Sequence, residues 1–591
     1  MKPSKETLQL EKEARSQVSQ ENLQEHIEFF CSLGEKLAGN PEEAQACEYI
    51  FDRLKEAGLK PRVHTFESYV SHPGKASFRV DFPEKQEVEG VGVSFGLGTP
   101  ETGLSGEVVH VKGGTEADYR GLQAAGKIVL VDKLPSPERT EVAMKHGAAA
   151  MVCMSEGPMR HKMITTPVWG TPSLEDKDKI PRLPVVSISG DDGAPLRRMA
   201  RAGTMRGTVM TEMWEGWKTL RVPEVIIPGT QPEFLLVGGH YCSWFDGATD
   251  NATGNSSMIE LARILAKYQK TLKYGVRLAW WPGHSNGRYS GSTWYADTFW
   301  QELYDEGVVY FNIDSPGVRG ATIYVPRHQM AEVSEFNEGC VAELTDWSTN
   351  KSADAQLAIG RRAGKAVDPS RPSRAADQSF WGIGLTSIGV YSMLPPDHPD
   401  RRKEVGGSGG AWWWHSVDDT VEKADSQVLA QDTRLYLSII LRLATARLLP
   451  FNFGITVQDY QDVLREYQDE AGKHFSFEKL ADNLMTLKAR VSALNRRVKS
   501  IKTTAETEGM NRFFLKLARV LNPVLYTSVE PTSHQPALGT RMLPDLAETL
   551  MLKNLDIESN DYKFLRAQLV RKVNKINFRV LEAIRMLEEK R

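Results

Sequence analysis

FLLVGGHYCSWFDGATDNATGNSSMIELARILAKYQK, residues 234–270, is the stretch whose reading decides the fold. It opens on FLLVGG, an apolar run of the length of a strand buried on both faces. It closes on GNSSMIELARILAKYQK, whose apolar residues recur at helical spacing. Between them a short loop holds an imidazole (His240), a carboxylate (Asp250) and turn-forming Gly and Asn residues. Strand, loop and helix in that order are one unit of an α/β sheet, and ligands of such sheets gather where the strands end.

The same alternation continues downstream. GVRLAWW (275–281), VVYFNID (308–314) and LTSIGVYS (385–392) read as further strands separated by helical patterns. The fold class is therefore α/β: a mixed, mostly parallel sheet with helices on both faces. Asp314 closes its strand as His240 closes the first, and WWWHSVDDT brings a second histidine, His415. Singly these residues have plain readings. His240 is a polar strand end, Asp250 a helix cap, Asp314 a turn residue and His415 a ring among tryptophans. Together, two imidazoles and two carboxylates form a donor set for one or two divalent metal ions. Zinc comes first, with manganese, cobalt or iron as other occupants.

The 591 residues exceed what one core organises. Residues 5–57 carry helical periodicity through Ile27, Phe30, Leu33, Leu37, Tyr49, Ile50 and Leu54. Residues 74–215 are strand-rich, with GKIVLVDK (126–133), HGAAAMVCM (146–154) and RLPVVSISGDDG (182–193). Past 430 strand signals fade into long amphipathic helices. The expected division is a metal-site domain over 1–73 and 216–430, an inserted β-rich domain over 74–215 and a helical bundle over 431–591. A formal net charge of -3 argues against a nucleic-acid binder. Five scattered cysteines with no CxxC argue against a disulfide framework. The first residues lack an apolar leader, and no run approaches the roughly 18 apolar residues of a membrane span. The reading is a cytoplasmic protein without membrane or nucleic-acid partners, acting on a small molecule or peptide.

HYCSWFDGATDNATG, FNIDSPG and HSVDDTVEKAD resemble the metal-binding segments of the zinc aminopeptidase family that includes glutamate carboxypeptidase II and the transferrin receptor. Residues 74–215 resemble that family's protease-associated domain. LATARLLPFNF and the helices after it resemble its helical dimerisation domain. RAADQSFWGIGLTSIG resembles its Ser-Asp segment before a buried strand. The resemblance implies two zinc ions bridged by Asp250, one also held by His240 and Asp314 and the other by His415. It also implies a homodimer through the C-terminal helices.

The family places a Glu-Glu pair, base and ligand, where this chain reads WWPGHSNGRYSGS (280–292). The pair falls on His284 and Ser285, or on Ser285 and Asn286 if the loop is counted from its other end. Neither register supplies a carboxylate. His284 is the candidate general base, since an imidazole titrates near neutrality; filling the vacated ligand place is its alternative, and a loop histidine without a role the plain one. Ser285 is a candidate hydrogen-bond donor to substrate. Cys242 stands where the family has an acid behind the first histidine, as a buried neutral thiol or as a thiolate near the metal. Arg371 and Arg374, ahead of Asp377, are either a carboxylate clamp or a solvated surface pair. Trp414 is a candidate pocket wall, and GGSGG (406–410) a flexible loop or lid. The favoured function is a metal-dependent hydrolase of a peptide or other amide. A catalytically silent, transferrin receptor-like scaffold and a metal-dependent lyase or cyclase are the alternatives.

Overall fold

The computed structural model describes residues 3–345, 368–373 and 376–590, together with the backbone of 348–349. Helices α1 (Lys5–Arg15) and α2 (Gln20–Ser32) start on Ser4 and Ser19, whose hydroxyls accept N–H groups of the first turn. Helix α3 (Pro41–Glu56) starts on Pro41, where a missing N–H costs no hydrogen bond. Leu23, Ile27, Phe30, Ile50 and Leu54 bury the apolar faces of α2 and α3 in the main core.

The next elements are β1 (Arg62–Phe82), β2 (Gln86–Gly92), β3 (Leu104–His110), β4 (Ile128–Val131), α4 (Pro137–Lys145), β5 (Ala150–Met154), β6 (Val185–Ile188), α5 (Gly190–Ala202) and β7 (Arg206–Ile227). Their pairing order, β1-β2-β6-β5-β4-β3-β7, closes on itself because β7 also pairs with β1. The parallel strands β4, β5 and β6 are buried throughout, which is why they read as unbroken apolar runs. The expected domain boundaries at 73/74 and 215/216 fall inside β1 and β7. These two strands form one antiparallel ribbon from Arg62 opposite Glu224 to Phe82 opposite Arg206, running from the inserted module into the central sheet.

The central region comprises β8 (Phe234–His240), α6 (Thr253–Leu265), β9 (Gly275–Trp281), α7 (Ser290–Thr298), α8 (Trp300–Glu306), β10 (Gly307–Asn312), β11 (Ile323–Pro326), α9 (Ser334–Leu344), β12 (Ser348–Thr349), β13 (Thr386–Ile388) and β14 (Val390–Met393). Strands β9, β8, β10 and β13 are parallel neighbours, and the end of β7 joins β9 antiparallel. Along β8, Leu235 and Val237 enter one apolar cluster while Phe234 and Leu236 enter another, so both faces are covered. LTSIGVYS is not one strand. It breaks at Gly389 into β13 of the main sheet and β14 of a small sheet with β11 and β12.

Helix α10 (Ser426–Ala444) follows, capped by Asp425, which accepts the Gln427 and Val428 N–H groups. It packs on β8, α1, α2 and α6, so the expected boundary at 430/431 lies within a helix of the central core. Helices α11 (Phe453–Ala471), α12 (Glu478–Val498), α13 (Thr504–Tyr526) and α14 (Asn560–Glu589) form the bundle, with α12 on α11 and α14, and α13 on α14. Arg519 of α13 plugs into the central region. Fully buried, it donates to the carbonyls of Leu303, Tyr304, Gly307 and Gly384. No helix among the described residues is long and apolar enough to cross a membrane.

Candidate metal centre

His240, Asp314 and His284 arrive from the C-terminal ends of β8, β10 and β9, the edge where open α/β sheets collect ligands. Asp250 comes from the loop between β8 and α6, in a wide turn over Ala248–Ala252 that follows the left-handed Gly247. Asn251 ties this loop down: its amide donates to the carbonyls of His240 and Ile313, and its oxygen accepts the Ser315 N–H. Asp419 holds the loop's other side, accepting the N–H groups of Thr249 and Asp250 and the Thr249 hydroxyl. Burial pushes the Asp419 carboxyl up to about 7.

The two oxygens of Asp250 face different histidines. Oδ1 lies 3.1 Å from His240 Nε2, and Oδ2 lies 3.0 Å from His415 Nε2. Asp314 Oδ1 is 3.6 Å from His240 Nε2. His240, His284 and Asp314 each place a ligand atom within 4.8 Å of the others. The rings of His240 and His284 stack with centroids 4.0 Å apart. Burial works against charge on His240, yet hydrogen bonds to Asp250 and Asp314 overcome it and hold the imidazole well above its ordinary value. On Asp250 burial is likewise outweighed, and the two histidines hold the carboxyl well below the usual carboxylate range. For His415 burial prevails over Asp250 and lowers the imidazole.

The donor set fits a divalent cation. Each of the three imidazoles commits Nδ1 to an acceptor: His240 to the Cys242 carbonyl at 2.8 Å, His284 to Asp377 Oδ2 at 2.8 Å and His415 to the Lys162 carbonyl at 2.9 Å. A carbonyl only accepts, so Nδ1 carries a proton on His240 and His415, and Nε2 is the nitrogen that a cation would take in place of a proton. This is the way metal-ligating histidines are oriented from behind. A buried carboxylate aimed two ways, between histidines presented in this manner, suits a bridged pair of ions or a single ion with an open position.

The centre floors a cleft of about 720 Å³. Asp250, His284, Asp314 and His415 line it from the core. Leu134, Pro137, Arg139 and Met163 line it from the inserted module. Trp414 walls it and stacks on His415 with centroids 3.5 Å apart.

Other expectations are corrected. Arg371 is no substrate clamp: it is buried away from the cleft, its Nε 2.5 Å from Asp459 of α11. Arg374 lies outside the described residues. Asp377 does not line the cleft; it backs His284 and accepts the Ser292 hydroxyl. Ser285 does not line the cleft either, and Asn286 is pinned to β1 through paired hydrogen bonds with Ser71, so His284 alone of the three faces the centre. Cys242 acts through its carbonyl, while its sulfur accepts the His284 N–H at 3.2 Å. The GGSGG segment is cleft wall: Gly406 and Gly407 line the cleft, Ser408, Gly409 and Gly410 are buried, and Ser408 Oγ lies 2.8 Å from Thr249 Oγ1. Tyr289, Arg327, His328 and Tyr391 also line the cleft and had no distinguishing spacing.

Comparison with known proteins finds similarity over both the central region and the inserted module. Residues 224–440 match peptidase family M28, and residues 104–196 match the PA domain. Carboxypeptidase Q from Xenopus laevis is 27% identical over 287 residues, covering 45% of this chain and 59% of that protein. The chain thus spans about three fifths of the length of that relative. An aminopeptidase from Aneurinibacillus sp. strain AM-1 superposes with a TM-score of 0.52 at 20% identity, covering 73% of this chain and 95% of that one. A peptidase M28 precursor from Shewanella amazonensis SB2B gives 0.56 at 17% identity, covering 75% and 97%. These two likenesses speak to the fold. Residues 224–440 thus resemble peptidase family M28, and residues 104–196, ahead of them, resemble a PA domain.

Proposed function

We propose that this protein is a metal-dependent hydrolase of peptide or related amide bonds, with a histidine where its family has a catalytic carboxylate. One observation carries the reading: the two oxygens of Asp250 face His240 and His415, and His240, His284 and Asp314 bring ligand atoms within 4.8 Å of one another, each histidine oriented through Nδ1. His240, Asp250 and Asp314 would hold one ion, and Asp250 with His415 a second. Zinc suits this N/O set best. A divalent cation held there supplies a Lewis acid for the scissile carbonyl and lowers the pKa of a water molecule toward neutrality.

His284 serves as general base. Its Nδ1 is held by Asp377, which fixes the ring and stabilises the imidazolium formed when Nε2 takes a proton from the attacking water. The same ring then returns the proton to the departing amine. Trp414 keeps one wall of the cleft apolar and holds the His415 ring by stacking.

The test joins metal analysis with kinetics. Purified protein supplemented with zinc, manganese or cobalt should retain at least one ion per chain by mass spectrometry; less than about 0.2 ends the metal reading. Across dipeptides, N-acyl amino acids and lactams, His284→Ala should lower kcat about 10²–10⁴-fold while keeping the metal. Loss of metal in that variant would instead make His284 a ligand, the reading favoured by its ligand atom lying within 4.8 Å of those of His240 and Asp314. A silent scaffold is the second reading, favoured by the absence of a carboxylate on the described loop 282–289. It prevails if metal binds and no amide turns over. We also propose the homodimer through the helical bundle, supported by Phe564 and Phe578 exposed on α14. Cytoplasmic residence belongs to the same proposal, supported by five cysteines that are all free thiols.

A further inference from the structure

His240 and His284 are oriented by groups of the core, Cys242 and Asp377. His415 is oriented from the inserted module. The segment that carries it, between β14 and α10, belongs to no named strand, and His415 itself sits at φ +58°, a backbone state costly for a residue with a Cβ. What opposes that cost is a short ladder with module residues 161 and 162. Lys162 N–H donates to the His415 carbonyl at 3.1 Å, and His415 Nδ1–H donates back to the Lys162 carbonyl at 2.9 Å. His161 Nδ1–H donates to the Trp414 carbonyl at 2.6 Å, and His161 is 2% exposed. Trp414 in turn packs in the module's own apolar cluster with Leu134 and Met163. The ladder is clamped to the core at its far side. Lys162 Nζ lies 2.5 Å from Glu35 Oε1 and 4.6 Å over the Phe245 ring.

We propose that His161 and Lys162 are positioning residues for His415, so that the ion place shared by Asp250 and His415 forms only while the module is seated. The proposal rests on the metal reading above. It assigns the inserted domain a part in building the centre as well as in roofing the cleft. Removing the group that orients a ligand typically weakens metal affinity 10–100-fold.

Zinc titration of the metal-stripped full chain by calorimetry tests it, with circular dichroism and melting temperature as fold controls. The parent should take two zinc ions per chain. His161→Ala should bind the first as the parent does and the second 10–100-fold more weakly. His161→Asn, which keeps an N–H for the Trp414 carbonyl, should recover most of that loss. Lys162→Pro, which removes the N–H given to His415, should reproduce the loss by an independent route. His415→Ala, as the reference, should lose the second step. Retention of that step at parental affinity in both His161→Ala and Lys162→Pro would overturn the positioning role and leave the metal reading intact. A parent that binds no zinc overturns both. An unchanged first step shows that a variant has folded, so a misfolded variant is not mistaken for support.

Discussion

At the scale of single residues, several acids are buried beyond what their chemistry prefers. Glu43 on α3 is 2% exposed, and burial pushes its carboxyl up to about 8 from 4.5. The folded chain therefore binds this proton more tightly than the unfolded chain. Stability from the group is complete below about pH 4.5 and is lost as pH rises toward about 8, by up to about 1.4 kcal/mol per unit. Glu43→Gln should flatten that decline. Urea midpoints of the two proteins measured from pH 5 to 9 should diverge with rising pH, and parallel curves would remove Glu43 as the cause. The candidate metal centre shows which single residues a sequence discloses. His240, Asp250, Asp314 and His415 stand at strand ends and loop turns, where their types are conspicuous. Their orienting partners are not, because a backbone carbonyl has no residue signature. Lys162 and His415 are 253 positions apart, and His284 and Asp377 are 93 apart. Arg371 misled for the same reason: its carboxylate, Asp459, lies 88 positions away on another helix.

At the scale of elements, the strands that carry the centre were legible because parallel strands buried on both faces are unbroken apolar runs. Their ends were less so. LTSIGVYS joins two strands of different sheets across one glycine, and the apolar pattern runs on regardless. Helix α10 was assigned to the tail by its periodicity, although its buried face belongs to the central core. Helix α13 anchors the bundle through Arg519, a buried cation among four carbonyls; burial lowers it to about 10. Substituting Arg519→Met removes a donor from each of those carbonyls, of which Leu303 keeps the Gly307 N–H. The expected cost is at least about 3 kcal/mol, since each unmet buried acceptor costs on the order of 1 kcal/mol or more. Chemical denaturation gives the number directly, and a loss under about 1 kcal/mol would mean the carbonyls find other donors.

At the scale of the whole molecule, the bundle presents Phe564 and Phe578 to solvent, 69% and 61% exposed, two heptads apart on α14. If this face joins two copies, Phe564→Asp with Phe578→Asp should halve the mass seen by light scattering without changing the melting profile of the central sheet. A parent that is already monomeric ends the dimer proposal. The inserted module raises a different question, because its link to the core is the β1–β7 ribbon, bulged between Pro73 and Ala76, and loops are no part of that link. Two domains joined by flexible linkers melt as separate units. Here the same two strands pair on both sides of the bulge, so the ladder couples the melting of the two halves. Scanning calorimetry should accordingly record a single heat-absorption peak for module and central sheet together, and a resolved early peak for the module would show that the ribbon yields in the middle.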